Sequence, residues 1–183
     1  WPEAHNNIAF QFNRGEIGPV DTAIRGAAHV VECELVNNRV VAAPLETRGA
    51  LGEFDAASGR LHLIASAAGA HGIRDLLPSS VFRIAREKLR VSIPDVGGGF
   101  GMKNVLYPEL VLVLWAARRL GRQVIWIGER GEDFVGSAHG RDSIVRARLA
   151  LDRNGRFLAL ETKVLANLGA YVSTVAPVVP TMA

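Results

Sequence analysis

Asp95-Val-Gly-Gly-Gly-Phe-Gly-Met-Lys103 places four glycines within five consecutive positions, and we call this stretch the glycine loop. Glycine adopts positive φ readily and has no Cβ to hold a ligand or a second backbone away. An apolar, strand-like segment at residues 89–93 precedes the loop, and Tyr107-Pro108 after it is typical of a helix start. Crossings from strand to helix are where α/β folds usually place ligands. The pattern therefore predicts a loop that a ligand approaches. The alternative is a plain surface turn, which needs only one or two glycines.

The common nucleotide-binding motifs do not fit this loop. A P-loop requires Gly-Lys followed by Ser or Thr, whereas Lys103 follows Met102 and precedes Asn104. A dinucleotide fingerprint requires glycines at relative positions one, three and six. Counting from Gly97 ends on Met102, and counting from Gly99 ends on Asn104, so neither register is complete. The loop is rich in glycine without being a general phosphate cradle, which indicates a more specialised ligand.

Hydrophobic periodicity and turn signals along the chain predict an α+β fold with mixed β-sheets, hairpins and packed helices. Hairpins are expected at residues 55–59 and at Asn154-Gly155. The clearest helix is residues 108–120, with proline in its first turn and Gly121 after it, and its apolar interior predicts burial between two layers. The other predicted helices are a short one with Pro19 in its first turn that ends near Gly26, a short segment from His71, and residues 79–88. The predicted strands are 29–37, 39–43, 49–54, 60–66, 89–93, 124–127, 143–151 and 157–166.

Composition excludes several classes of protein. The chain of 183 residues is long enough for one domain with its own core, and its net charge is only +3. Its arginines are dispersed, which argues against a nucleic-acid groove. No apolar run approaches the roughly 20 residues that span a bilayer, so we expect no membrane span. The five histidines lack the spacing of a zinc site, and no Ser-His-Asp set follows from the spacing.

Three candidate structural residues come from local patterns. The single cysteine, Cys33, lies in an alternating segment and is expected with Val31 and Leu35 on the buried face of a strand. Because it is the only cysteine, it allows no internal disulfide. In Pro-Leu-Glu-Thr-Arg, Glu46 and Arg48 are expected to form a positioning pair, and Glu46 is not expected to act as an acid or base.

The glycine loop belongs to a series of blocks that together resemble the large subunits of the molybdenum hydroxylases. That family comprises xanthine dehydrogenase, aldehyde oxidase and the aerobic carbon monoxide dehydrogenase type. The blocks cover nearly the whole chain in the family's order, and the Gly-Met-Lys-Asn version of the loop is most similar to the carbon monoxide dehydrogenase-like branch. Besides the glycine loop, the blocks are Arg39-Val-Val-Ala-Ala-Pro-Leu-Glu-Thr-Arg-Gly-Ala50, Ala70-His-Gly-Ile-Arg-Asp75, Tyr107-Pro-Glu109, His139-Gly-Arg-Asp142 and Ala166-Asn-Leu-Gly-Ala-Tyr171.

The resemblance implies a molybdopterin cofactor with molybdenum, in its cytosine dinucleotide form, beside the backbone of the glycine loop. The metal takes its sulfur ligands from the pterin, so no side chain of the chain is expected to coordinate it. Arg141 is either a cofactor contact or a structural residue that locks its loop through a salt bridge. The residues that the resemblance assigns to the cofactor are Gly98, Gly99, Phe100, Gly101, Ala68 and Arg141.

Two positions depart from the family pattern. Ala68 stands where the family usually has a glutamine near the oxo ligand of the metal, and alanine has no side-chain donor. Asn104 stands where xanthine dehydrogenases carry a substrate-binding glutamate, which argues against purine oxidation. The first departure keeps open a second interpretation, in which the chain is a catalytically silent structural or assembly module that retains the fold.

Family subunits are several times longer than this chain, and their catalytic glutamate lies beyond Ala183. We therefore expect a fragment without a catalytic residue of its own and without activity alone, in which residues 1–14 lead in from a preceding domain and residues 15–183 form the N-terminal portion of a molybdopterin-binding domain. The parent oxidoreductase is expected to oxidise an aldehyde, an electron-poor heterocycle or carbon monoxide. Its expected partners are iron–sulfur and FAD subunits or domains and the remainder of the large subunit, in the cytoplasm.

Overall fold

The computed structural model describes residues 4–171 and 178–181. The chain divides into two compact units: Val40–Gly140 forms one, and the segments up to Arg39 and from Arg141 onward form the other. The helices are α1 (Ile17–Gly26), α2 (Ala70–Leu76), α3 (Pro108–Leu120), α4 (Arg130–Gly136) and α5 (Val178–Thr181). The strands are β1 (His29–Asn37), β2 (Val40–Val41), β3 (Gly49–Asp55), β4 (Arg60–Ala65), β5 (Leu89–Ser92), β6 (Val124–Ile127), β7 (His139–Gly140), β8 (Ser143–Leu151) and β9 (Phe157–Ala166).

The unit formed by Val40–Gly140 is built on a four-stranded sheet in the order β5-β4-β3-β6. Its β4 and β5 run parallel, and its other neighbours are antiparallel. α3 packs its buried residues, Leu110, Val113, Leu114 and Ala117, on one face of this sheet. Gly52 permits the close approach, because a Cβ at this position would lie 2.4 Å from the carbonyl oxygen of Val113.

The strand directions place several connections at one edge of this sheet. Because β4 and β5 are parallel, their carboxyl ends lie at the same edge. β3 is antiparallel to both β4 and β6, so β3 starts and β6 ends at that edge too. The glycine loop follows β5, and it is therefore placed beside the residues that follow β4 and those that precede β3. This is the edge at which α/β sheets commonly bind ligands.

The other unit contains a three-stranded antiparallel sheet in the order β1-β8-β9, and α1 packs against β8 and β9. Charged side chains pair across one face of the sheet: Arg146 with Glu34 at 2.6 Å, and Arg148 with Glu32 at 2.9 Å and Glu161 at 3.1 Å. Cross-strand pairs of this kind contribute to sheet stability and to register.

The opposite face of β1 corrects the prediction for Cys33. The strand covers residues 29–37 as predicted, but Cys33 is exposed, and Val31 and Leu35 are 56% and 59% exposed. Period-two alternation shows which face of a strand is apolar, and it does not show whether another layer covers that face. The face remains open within the described residues.

Local predictions elsewhere are partly confirmed. α3 covers residues 108–120, and Gly121 ends it with a φ of 63°, as its capping role requires. Both predicted hairpins form. However, α3 is not buried on all sides, since Leu112 and Trp115 are each 57% exposed. The mixed α+β class is confirmed.

The predicted helix at residues 79–88 is wrong. A π-helical turn covers Leu77–Phe82, Arg83 adopts a left-handed φ of 51°, and a 3₁₀ turn covers Arg86–Lys88. The Ser79 hydroxyl donates backwards to the carbonyl oxygen of Asp75 at 2.9 Å, so it does not cap a following helix.

Other boundaries differ as well. The strand predicted at residues 39–43 is limited to β2. The first helix runs from Ile17 to Gly26 with Pro19 in its first turn, as predicted. α4 was not predicted, although Glu129 and Glu132 form a capping box at its start. Among the described residues, no helix is both long and apolar enough to cross a membrane.

Candidate cofactor site

The glycine loop turns sharply through left-handed backbone conformations. Gly98 and Gly101 have φ values of 97° and 88°, and Phe100 between them has a φ of 47°. Positive φ is unstrained for glycine and costs free energy for phenylalanine. The Phe100 side chain is 81% exposed. The loop then enters a 3₁₀ turn in which the Met102 amide donates to the carbonyl oxygen of Gly99 at 2.8 Å.

The four glycines have two different roles. A Cβ at Gly97 would lie 2.6 Å from the Glu46 Cβ, and a Cβ at Gly98 would lie 2.9 Å from Phe100 Cε2. Gly97 is therefore required by the packing against Glu46, and Gly98 by its positive φ, since the exposed ring of Phe100 has room to move. By contrast, a Cβ at Gly99 would meet only Lys103 Cβ at an ordinary 3.7 Å, and one at Gly101 would meet nothing within 4 Å. Gly99 and Gly101 therefore lie next to open space.

The middle of the loop offers hydrogen-bond donors. Within the part of the chain that the structure describes, the backbone amides of residues 98–101 donate to no acceptor. Successive free amides in a turn with positive φ form concavities that bind anionic and oxo groups. Because glycine side chains are absent there, a ligand can approach this backbone closely.

Both ends of the loop are held by one carboxylate oxygen. Glu46 Oε2 accepts hydrogen bonds from the Gly97 amide at 2.9 Å, the Lys103 ammonium at 2.7 Å and the Ser66 hydroxyl at 2.6 Å. The Lys103 ammonium also donates to Ser66 Oγ at 2.6 Å, and the Lys103 side chain is fully buried.

This environment keeps Glu46 ionised. The hydrogen bond from Lys103 and then that from Ser66 lower the pKa of Glu46 from its ordinary value of 4.5. A lowered pKa means that the stabilisation Glu46 provides is present above pH 4.5 and is lost as the pH falls through the lowered pKa. The predicted pair of Glu46 with Arg48 does not form.

Arg48 belongs to a separate buried network. Its Nε donates to Asp133 Oδ1 at 2.9 Å, its backbone amide donates to Asp133 Oδ2 at 3.0 Å, and its Nη1 donates to Glu109 at 3.2 Å. The guanidinium lies over the rings of Tyr107 and Trp126, with distances to the ring centroids of 4.0 and 5.3 Å. Arg48 therefore fixes the start of β3 against α3 and α4.

Tyr107 holds the chain that leaves the glycine loop. Its hydroxyl donates to the carbonyl oxygen of Met102 at 2.8 Å and accepts from the Ala138 amide at 3.0 Å. Burial raises the pKa of the Tyr107 hydroxyl above its ordinary value of 10.0. The hydroxyl therefore remains a neutral donor at physiological pH.

The structure brings five of the six predicted cofactor residues together in one unit. Gly98, Gly99, Phe100 and Gly101 are contiguous, and the Ala68 amide donates to the carbonyl oxygen of Lys103 at 3.1 Å. The exposed Ala68 thus lies beside the end of the loop.

Arg141, the sixth predicted residue, belongs to the other unit and is exposed, with a φ of 68°. The salt bridge in its loop is formed by its neighbour Asp142 with Arg39, at 2.6 Å. Among the described residues Arg141 itself makes no ion pair, so the structure does not support the predicted lock.

A polar trio was missed at the sequence level. His62 lies between Ser92 Oγ and Glu53 Oε2, at 2.8 Å from each. The three residues come from β5, β4 and β3 and lie on the sheet face opposite α3, because their neighbours Leu61, Leu63 and Leu89 face the core. The cross-strand pair of Glu53 with His62 follows from the predicted hairpin once its register is known. The trio links the three strands.

No side-chain metal site is found in residues 4–171 and 178–181. No group of three or more His, Cys, Asp or Glu residues there is placed to hold an ion. The donors gathered at the glycine loop are backbone amides, which bind acceptor groups of a ligand and do not bind cations.

The chain is similar in sequence and fold to known proteins. The family description "Molybdopterin cofactor-binding domain" matches residues 1–183. The nicotine 6-hydroxylase large subunit of Paenarthrobacter nicotinovorans is 33% identical over 169 residues, which are 92% of this chain and 20% of that protein. The carbon monoxide dehydrogenase large chain of Hydrogenophaga pseudoflava is 33% identical over 170 residues, which are 93% of this chain and 21% of that protein.

A solved structure shows the same fold. Quinoline 2-oxidoreductase from Pseudomonas putida 86 superimposes with a TM-score of 0.79 and 37% identity, covering 88% of this chain and 20% of that chain. This chain thus spans about a fifth of the length of the relatives that it matches.

Proposed function

The chain belongs to the molybdopterin cofactor-binding domain family of molybdenum hydroxylase large subunits, and we propose that its glycine loop holds the molybdopterin cofactor in a longer oxidoreductase. The observation that carries the proposal is the middle of the loop. Residues 98–101 combine unpaired amides with open space beside Gly99 and Gly101. A side chain at either glycine would enter the space that a ligand needs.

The residues of the site fit such a cofactor. Backbone amides suit the phosphate, carbonyl and oxo acceptors that a molybdenum-bearing pterin presents. The open space beside Gly99 and Gly101 lets those acceptors reach the amides, and Ala68 adds a small, exposed surface beside Lys103 at the end of the loop. We assign the cofactor contacts to residues 98–101 and Ala68, keep Arg141 as a further candidate, and expect the cytosine dinucleotide form.

The role of the chain is to bind and orient the cofactor. When bound, the molybdenum cofactor supplies the two-electron oxidation, with oxygen derived from water. Residues 98–101 bind it through their amides, Glu46 and Lys103 hold the loop, and Tyr107 holds the chain that leaves it.

Ala68 offers no side-chain donor, and Asn104 replaces a glutamate that purine oxidation uses in xanthine dehydrogenases. Among aldehydes, heterocycles and carbon monoxide, we favour a nitrogen heterocycle, because nicotine and quinoline are named in two of the relatives.

The chain has apolar surfaces that fit a larger assembly. The face of β1 that contains Val31 and Leu35 is open, and Leu112 and Trp115 of α3 are exposed. Exposed apolar patches of this kind mark interaction sites. We propose that the remainder of the large subunit covers them. Residues 1–14 are proposed to lead in from a preceding domain, and residues 15–183 to form the N-terminal portion of the molybdopterin-binding domain. Iron–sulfur and FAD partners are proposed to accept the electrons, in the cytoplasm.

The direct test of this function is the metal and pterin content of the purified full-length parent. The proposal predicts about one molybdenum and one pterin per large subunit, as for a single bound cofactor. A folded, fully assembled parent that contains neither would refute the proposal and favour the silent assembly module.

Replacing Ala68 by glutamine in the parent is expected to increase cofactor retention. The new amide restores a donor beside the loop, and one neutral hydrogen bond contributes about 0.5 to 1.5 kcal/mol, which corresponds to about a twofold to tenfold gain. Retention is measured as pterin fluorescence after prolonged dialysis. The matched control is Ala56→Gln, in the exposed hairpin turn after β3. Equal retention in both variants and the unsubstituted parent would show that position 68 does not face the cofactor.

A further inference from the structure

The carboxylate of Glu46 joins three connections at one edge of the β5-β4-β3-β6 sheet. Glu46 precedes β3, Ser66 follows β4, and Gly97 lies in the glycine loop after β5. Oε2 of Glu46 accepts from Ser66, Gly97 and Lys103 at 2.6, 2.9 and 2.7 Å. A single oxygen atom therefore fixes the start and the end of the loop relative to the sheet.

Backbone packing reinforces this attachment. The Glu46 amide donates to the carbonyl oxygen of Gly97 at 3.3 Å, so the two residues exchange hydrogen bonds in both directions. The Glu46 Cβ also occupies the space that a side chain at position 97 would need. The loop can close on Glu46 in this way only because residue 97 is glycine.

The negative charge of Glu46 is required by its buried partner. The Lys103 side chain is fully buried, and within the described residues Glu46 is the only carboxylate that pairs with it. A buried cation without a counter-charge is strongly unfavourable. Two further carboxylates near this edge, Asp133 and Glu109, are paired with Arg48 and not with Lys103.

We propose that Glu46 is a positioning residue, which sets the shape of the glycine loop so that the amides of residues 98–101 face the cofactor before it binds. This inference rests on the proposed function for the identity of the ligand. It assigns Glu46 no contact with the cofactor, since its polar contacts are with Ser66, Gly97 and Lys103. Glu46 thus prepares the site by ordering its backbone, which lowers the ordering cost of binding.

The test compares hydrogen exchange of residues 95–103 in the full-length parent produced without cofactor. Glu46→Gln keeps the size of the side chain and removes its charge, and it is expected to raise exchange at the Gly97 amide roughly tenfold, as loss of one charge-assisted hydrogen bond predicts. Glu53→Gln is the matched control, because Glu53 lies on β3 and contacts His62 and Gln123. In Glu46→Gln the rise at the Gly97 amide is expected to exceed any rise in β3 and β4, which reports the general cost of leaving Lys103 without a counter-charge.

A second variant covers the case in which Glu46→Gln does not fold. Glu46→Asp retains a counter-charge for Lys103, but its shorter side chain does not reach Gly97 and Lys103 together. It is expected to fold and to show the same selective rise in loop exchange. Unchanged loop exchange in the folded variants, or a rise shared equally by β3 and β4, overturns the proposal.

Cofactor retention separates this inference from the proposed function. When Glu46→Asp, which retains the counter-charge for Lys103, is loaded with cofactor, the proposal predicts roughly tenfold faster pterin loss at an unchanged melting temperature of the protein. Faster loop exchange with unchanged pterin retention overturns the positioning role and leaves the proposed function intact. An unsubstituted parent that binds no pterin refutes the proposed function, and loop exchange then still decides whether Glu46 orders the loop.

Discussion

Gly99→Val in the full-length parent is expected to reduce the molybdopterin content to below about a tenth of the unsubstituted level, since a clash costing more than about 1.4 kcal/mol changes a binding constant tenfold. The substitution is otherwise tolerated by the chain. Gly99 does not have a positive φ, and a Cβ there meets only Lys103 Cβ at 3.7 Å. The Cβ of valine is therefore accommodated by the protein, and the side chain occupies space that the proposed function reserves for the ligand. The measurement is pterin content beside a thermal melt.

The control for this variant replaces by valine another glycine that has no positive φ and no close neighbour. Gly26 also lacks a positive φ, a Cβ there meets nothing within 4 Å, and it lies at the end of α1 in the other unit. Gly26→Val is expected to retain full pterin. If Gly99→Val melts normally and also retains full pterin, nothing approaches the glycine loop and its assignment is withdrawn.

The largest expected effect on stability comes from Asp133→Ala. Asp133 is 1% exposed and accepts from both the backbone amide and Nε of Arg48. Removing one member of a buried ion pair costs about 3 to 5 kcal/mol, because the remaining charge is left buried. Urea unfolding of the 183-residue chain is expected to show a free energy of unfolding lower by this amount.

Two comparisons test the cause of that loss. Glu34→Ala removes the exposed pair with Arg146 and is expected to cost at most about 1 kcal/mol. The double variant Arg48→Met, Asp133→Leu removes both charges and is expected to cost less than Asp133→Ala alone. If Asp133→Ala is no more destabilising than Glu34→Ala, the Arg48 network is not the buried structural element described above.

The sequence predicts elements whose signals are local. α3 is recognised by Pro108 in its first turn and Gly121 after its last. The hairpins are recognised by their turns, and the glycine loop by its composition and its place between strand and helix. In each case the determining residues lie within a few positions of the element, so propensity and backbone sterics suffice.

Partners that are distant in sequence are not predictable in this way. Arg48 pairs with Asp133, 85 positions away, and Glu46 pairs with Lys103, 57 positions away, although the two residues were expected to pair with each other. Asp142 is held by Arg39, 103 positions away, so the ion pair of this loop is formed by Asp142 and not by Arg141. Such contacts depend on which connections meet at one edge of the sheet.

Predicting which residues are buried also requires knowing which layers pack against each element. The alternation around Cys33 correctly predicts a strand with one apolar face. Whether that face is buried depends on whether another part of the polypeptide covers it, which the alternation does not show. The error at residues 79–88 has a different cause. There the backward hydrogen bond of Ser79 and the left-handed Arg83 override helix propensity.

An experimental structure of the full-length parent with its cofactor bound decides whether the glycine loop holds the cofactor. We expect acceptor atoms of the molybdopterin to lie within hydrogen-bond distance, about 2.7 to 3.2 Å, of amides in residues 98–101. We also expect that Glu46 still holds Gly97 and Lys103 and makes no contact with the cofactor. A structure in which the cofactor binds elsewhere and the amides of residues 98–101 face solvent or other protein would contradict this expectation.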